Sequence, residues 1–315
     1  MITKMNSILT GQLFFLISFP FIISCVGKQP TPEFNGDRAF EYLAKQVEFG
    51  PRVPGTESWR NCRNYYYEYF KALGVVIDSQ AFEFTDPYSE KEIPLVNIIV
   101  RIEGANPEKL GIILMAHYDS RPRTDFPSSP ELANQPIQGA NDGASGVAVL
   151  MELAALLKQT KPPQNIDIVL VDGEDWGKQG DNKFYLLGSQ EFARRGMRDK
   201  YRFGIVVDMV GDSNQQFYRE SFSQEYFPEL NGMIWNTAKQ LGASTFVDST
   251  VHMVLDDHIS LATGGIPAVV IIDFDYPYWH TDMDTPDKCS PKSLANVGKV
   301  LTHICYNPDI WPKKK

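Results

Sequence analysis

The chain has 315 residues, 43% of them hydrophobic and 22% charged, the composition of an ordinary folded protein with one large domain or two smaller ones. A formal charge of -9 argues against a general nucleic-acid binder, which needs a basic face. The absence of an internal repeat excludes a solenoid or propeller array.

Residues 1–24 have the form of an export signal. Lys4 supplies a positive start and residues 8–23 an apolar stretch. Ile22-Ile23-Ser24-Cys25 then resembles a lipoprotein processing box that leaves Cys25 as the lipidated first residue. The expectation is an exported bacterial lipoprotein, periplasmic or anchored at the outer membrane, reaching the membrane through the lipid on Cys25. Residues 25–35 read as a tether that Pro30 and Pro32 keep extended. Cys62, Cys289 and Cys305 lack the close spacing of a metal ribbon or redox pair, so buried free thiols are expected.

Beyond the tether, residues 37–49 and 57–73 have the apolar spacing of amphipathic helices, closed by Gly50 and Gly74. Residues 75–84 alternate like a strand. The short β-branched runs at 95–102, 111–116, 166–171, 203–207 and 268–272 are largely apolar, as in strands covered on both faces. Helical stretches at 146–158, 188–195, 226–241 and 291–306 lie between and after them. The pattern predicts an α/β fold: a mixed, mostly parallel central sheet flanked by helices on both faces. No linker splits residues 36–315, so a single domain is expected. Two loops, 121–138 and 176–183, each follow an acidic cluster and could wall a pocket.

Five acidic or histidine clusters stand at the ends of the apolar runs. They are His117-Tyr118-Asp119, Asn141-Asp142-Gly143, Asp172-Gly173-Glu174-Asp175, Asp208, and Trp279-His280. Strand ends of an open α/β sheet face one crevice, so these groups should converge there. Small neighbours leave Asp142 bare at a helix start, although a capping aspartate is the bland alternative. The adjacent Glu174 and Asp175 point in different directions, so one can bind a metal while the other handles a proton. Asp142, Asp175 and His280 make a three-ligand set of the kind catalytic zinc prefers. His117 and Asp208 could complete a second site with Asp142 bridging.

These clusters, in this order and spacing from about residue 37 to the C-terminus, resemble the zinc aminopeptidase superfamily that also contains the type II glutaminyl cyclases. Asp256-Asp257-His258-Ile259 is similar to the Asp-Asp-His of the cyclases, where related aminopeptidases usually begin with serine. Trp279 directly before His280 also resembles the cyclase pattern. Asp175 departs from the second glutamate of the animal cyclases and is similar to bacterial members.

The resemblance implies that an N-terminal glutamine is cyclised to pyroglutamate with loss of ammonia. One zinc, on Asp142, Asp175 and His280, would polarise the side-chain amide. Glu174 would shuttle the proton, with Asp256 and Asp208 orienting it and sharing protons with it. That sharing would hold Asp208 in a hydrogen-bond network and make it a poor ligand for a second cation, leaving His117 a second-metal or supporting residue. Trp279 and, with a weaker claim, Trp176 would wall the substrate. The implied partners are peptides or proteins beginning with glutamine, no nucleic acid, and no second subunit. The rival on the same scaffold is an aminopeptidase with two zincs and a water nucleophile. An inactive binding lipoprotein would be expected to lose a ligand or the proton shuttle, and this chain keeps them all. Gly143-Ala144-Ser145-Gly146 is no nucleophile elbow, which argues against a serine hydrolase.

Overall fold

In the computed structural model, residues 31–196 and 198–313 are described. The export signal and lipidation site expected in residues 1–25 lie outside them. Two helices come first, α1 (Gly36–Glu48) and α2 (Glu57–Leu73). Asn35 and Thr56 cap them through side-chain oxygens, and α2 ends on the left-handed Gly74. Then follow β1 (Val76–Thr85), β2 (Glu92–Ile102), β3 (Gly111–His117), α3 (Ala144–Gln159), β4 (Ile166–Val171), α4 (Leu187–Arg194) and β5 (Tyr201–Asp208). The remainder is β6 (Phe217–Arg219), α5 (Ser221–Tyr226), α6 (Pro228–Gln240), β7 (Phe246–Thr250), α7 (Asp257–Thr263), β8 (Ala268–Ile272) and α8 (Pro291–Tyr306).

Six strands form one sheet in the order β1-β2-β4-β3-β5-β8, and β6 and β7 form a separate pair. β4, β3, β5 and β8 run parallel, while β2 is antiparallel to both β1 and β4. Strand side chains alternate between two cores. Ile112, Leu114, Ile168 and Ile205 pack with α1, α2, α3, α6 and α8 on one face. Ile113, Met115, Val169 and Val206 pack with Phe192 of α4 and Leu261 of α7 on the other. Covering both faces is why the parallel strands read as unbroken apolar runs rather than as alternation. α3 is buried nearly all round, and its one buried charge, Glu152, is paired with Arg38 at 2.5 Å.

The chain passes from β3 to β4 on one side, then crosses back over β3 to reach β5. That reversal opens a crevice at the carboxyl ends of the parallel strands. Two local expectations are corrected. The helix expected over 226–241 starts at Pro228, because a proline without an N–H suits the first helical position and breaks the chain from α5. β7 and the short β6 carried no usable pattern. Cys62, Cys289 and Cys305 are free and buried.

Candidate metal centre and active site

The crevice gathers side chains from four strand ends. His117 closes β3, Glu174 and Asp175 follow β4, Asp208 closes β5 and His280 lies beyond β8. Asp142 directly precedes α3, whose cap, Gly143, makes no side-chain bond, so its carboxylate is free of a capping role. Gly143 has φ of 96°, and a Cβ there would fall 2.5 Å from the Asp119 carbonyl oxygen. Only glycine lets the helix begin so close to that chain. Asp284 accepts from the amides of Asn141 and Asp142 at 2.8 and 3.1 Å, which holds the turn. Met209 and His280 adopt left-handed backbones, φ 47° and 56°. Each costs about 1–3 kcal/mol and persists where surrounding contacts over-determine it.

Two triads of possible ligand atoms share Asp142. In each, the atoms lie within 4.8 Å of one another. In Asp142, Asp175 and His280, the imidazole Nε2 lies 3.2 Å from Asp175 Oδ1 and 3.8 Å from Asp142 Oδ2. Asp142 Oδ2 and Asp175 Oδ2 are buried without a hydrogen-bond partner. Two carboxylates and one imidazole turned inward, with oxygens left unpaired, are the donor set a divalent cation of the zinc type fits. In the other triad, His117 Nε2 lies 3.2 Å from Asp142 Oδ1 and 3.1 Å from Asp208 Oδ1, while its Nδ1 faces Asp119 Oδ1 at 3.4 Å.

Burial works against every charge here, and neighbours decide the outcome. Burial opposes the Asp175 carboxylate, but His280, Arg121 and His117 outweigh it and hold it below the usual range. Burial and Asp175 together push Asp142 up to about 7. Burial lowers His280, but Asp175, Asp125 and Asp142 raise it to about 9. Glu174 is pushed well above the carboxylate range by burial and then by Asp175, Asp257 and Asp256, with His117 opposing. Burial and Asp208 do the same to Asp256.

Residues 97–305 match peptidase family M28, a span running from within β2 to the end of α8. The chain belongs to this family. A glutaminyl cyclase of Bacteroides thetaiotaomicron, solved with N-acetylhistamine bound, is 35% identical with a TM-score of 0.83, covering 88% of this chain and 99% of that one. A leucine aminopeptidase precursor from the same species is 36% identical with a TM-score of 0.84, over the same 88% and 99%. The glutaminyl-peptide cyclotransferase of the snake Gloydius blomhoffii is 24% identical over 303 residues, 81% of this chain and 76% of its own.

The M28 crevice narrows to a cavity of about 60 Å³ lined by Asp142, Glu174, Asp175, Asp208, Asp256 and His280. Glu174 thus faces the first triad without belonging to it. Asp256 caps α7, with Oδ1 accepting from the Asp257 amide and Oδ2 buried without a partner. Asp256 shares this cavity with Glu174 and Asp208, and Asp208 Oδ1 also lies 3.1 Å from His117 Nε2. Trp279 also lines the cavity, stacked on the His280 ring at 3.9 Å with Phe274 at 5.1 Å.

Trp176 does not line it, which corrects its place as a substrate wall. Its indole donates to Asp86 Oδ1 at 2.9 Å and packs edge-on against Phe84. Tyr185, Phe274, Val254 and Met209 take the lining positions, and sequence reasoning passed over all four. Nothing local marks them, since each is an apolar or aromatic residue like many core neighbours. The HisxAsp pattern did flag Asp119, whose carboxylate accepts from the amides of Glu174 and Asp175, each at 3.2 Å.

Proposed function

We propose that the chain is a zinc-dependent glutaminyl-peptide cyclotransferase, cyclising an N-terminal glutamine to pyroglutamate with release of ammonia. The observation that carries it is the Glu174 carboxyl, which faces the Asp142–Asp175–His280 triad without joining it and has the acid Asp256 in the same cavity. The named cyclases among its relatives support the reading.

Asp142, Asp175 and His280 would hold the ion, which when bound supplies Lewis acidity toward the glutamine side-chain carbonyl. Glu174 accepts a proton from the α-amine as its nitrogen bonds to the side-chain carbonyl carbon. It then returns a proton to the amide nitrogen, which leaves as ammonia when the carbon–nitrogen bond breaks. Burial and Asp208 push Asp256 well above the usual carboxylate range, which favours its neutral form and limits repulsion around Glu174. Trp279 and Phe274 offer an apolar wall that orients the side chain and excludes water. Nucleophile and electrophile belong to one molecule, so correct folding of the substrate supplies much of the rate.

One zinc is part of this reading. It is supported by His117, whose imidazole already sits between Asp142 and Asp208 at 3.2 and 3.1 Å. The same triad could instead hold a second metal, and that observation favours the rival, a two-zinc aminopeptidase. A peptide beginning with glutamine separates them: ammonia and a pyroglutamyl product support the cyclase, free glutamine the peptidase. Export and lipidation at Cys25 belong to the proposal too, and rest on residues 1–25 alone.

A further inference from the structure

Arg121 is a wholly buried arginine that the mechanism above does not use. Its Nη1 donates to Asp175 Oδ1 at 3.0 Å and to the Asp175 carbonyl at 3.1 Å. Its Nε donates to Asp125 Oδ2 at 2.9 Å, Nη2 lies 2.7 Å from the same oxygen, and Nη2 donates to the Tyr185 hydroxyl at 3.0 Å. Asp125 grips the other ligand twice. Its Oδ2 lies 2.9 Å from His280 Nδ1, and its backbone amide, with that of Phe126, donates to the His280 carbonyl at 3.1 and 3.3 Å. The backbone so held is the left-handed one at His280.

We propose that Arg121 and Asp125 form a positioning pair that aims Asp175 and His280 at the metal. This rests on the proposed metal site. Asp125 accepting from Nδ1–H leaves the Nε2 lone pair of His280 facing the two ligand carboxylates. Arg121 reaches Asp175 and Asp125 at once because a guanidinium is a flat fork of donors, a geometry an ammonium cannot copy. The pair has no net charge as a unit, so it orients the ligands without changing the charge of the site.

Neutrality makes the idea separable from plain electrostatics. Removing Arg121's charge leaves the site more negative, and removing Asp125's leaves it more positive. If charge alone mattered, Arg121→Gln would tighten zinc and Asp125→Ala would weaken it. A positioning pair predicts that both weaken it, and that Arg121→Lys, which keeps the charge, weakens it too. Arg123 provides the control. It ties the same two loops through the carbonyls of Trp176 and Gly177, at 2.6 and 2.9 Å, without touching a ligand.

The full chain, stripped with a chelator, is titrated with cobalt(II) while its visible absorption is followed. Zinc affinity is then measured by competition with a chromophoric chelator. Arg121→Lys, Arg121→Gln and Asp125→Ala should each raise the zinc dissociation constant about 10–100-fold and alter the cobalt spectrum. Arg123→Gln should do neither. Should the Arg121 variants fail to fold, the cobalt spectrum of Asp125→Ala decides, since lost charge alone would weaken zinc without altering the ligand geometry that the spectrum reads; the Asp125 side chain is 12% exposed. Folded variants with wild-type cobalt spectra and zinc constants, or opposite shifts for Arg121→Gln and Asp125→Ala, overturn the proposal. A wild-type chain that takes up neither cobalt nor zinc instead overturns the metal site beneath it.

Discussion

Asp142 divides the M28 site into two halves that share its carboxylate and differ in what answers it. On one side lie Asp175 and His280, with Asp142 Oδ2 and Asp175 Oδ2 buried and unpaired. On the other, the Oδ1 atoms of Asp142 and Asp208 meet a single imidazole at 3.2 and 3.1 Å. Burial lowers that His117 ring, yet Asp208, Asp119 and Asp142 together hold it well above its usual range. The ring stands between the two acids and offers both of them a partner. The difference teaches where an added cation is needed. Asp175 Oδ1 meets His280 and Arg121 at 3.2 and 3.0 Å, but Asp175 Oδ2 and Asp142 Oδ2 have no hydrogen-bond partner, and a buried polar atom so left costs free energy.

Removing a ligand from the unpaired half is expected to have the largest effect. His280→Ala should abolish both zinc binding and turnover, read by metal analysis and ammonia release. His117→Gln is the matching change on the other side, and should leave one zinc per chain. It strands Asp142 and Asp208, so chemical denaturation should show a loss of about 3–5 kcal/mol. Loss of all zinc in that variant would reverse the assignment of the halves.

Glu174 stands beside both halves and should belong to neither as a ligand. Glu174→Gln should lower turnover about 10²–10⁴-fold while zinc content and thermal midpoint stay at wild-type values. Near-normal turnover would remove its role as proton carrier. Trp279→Ala, which strips the wall behind His280, should raise KM more than it lowers kcat, since it removes binding rather than proton transfer.

The smallest effect concerns an acid outside both halves. Burial opposes the Glu220 carboxylate, but His258 and the amides of Ser223 and Phe222 outweigh it and bring it down to about 2. A depressed folded value means this contribution to stability is fully present above the unfolded value near 4.5. It is lost as pH falls from there toward 2. Denaturation curves of Glu220→Gln between pH 5 and 2 should therefore fall less steeply than those of the wild type. Parallel curves would show that Glu220 is not the group responsible.

Much of this comparison was legible in the chain. Apolar runs such as 111–116 and 166–171 announce strands because covered strands need no polar face, and the acids behind them mark the crevice end. His117, Glu174, Asp175 and Asp208 follow from that rule, whereas Asp142 stands before α3 and His280 in the loop beyond β8. Trp176 was misplaced because the rule stops at the strand end. Beyond it the chain turns, and one bond to Asp86 carries the indole away from the cavity. The bond between Asp208 and His117 was also hidden, since both lie at strand ends and only the pairing of β3 with β5 brings them within 3.1 Å.

Local pattern thus determined the strands, the helices and the set of acids and histidines available for chemistry, because side-chain period and helix capping depend on near neighbours. Partnership was decided by the fold. Arg121 reaches Asp175 across 54 positions of sequence, and Asp125 reaches His280 across 155. Such contacts arise from strand order and from loops folding over the sheet, and buried charges accept whichever partner that packing brings within about 3 Å.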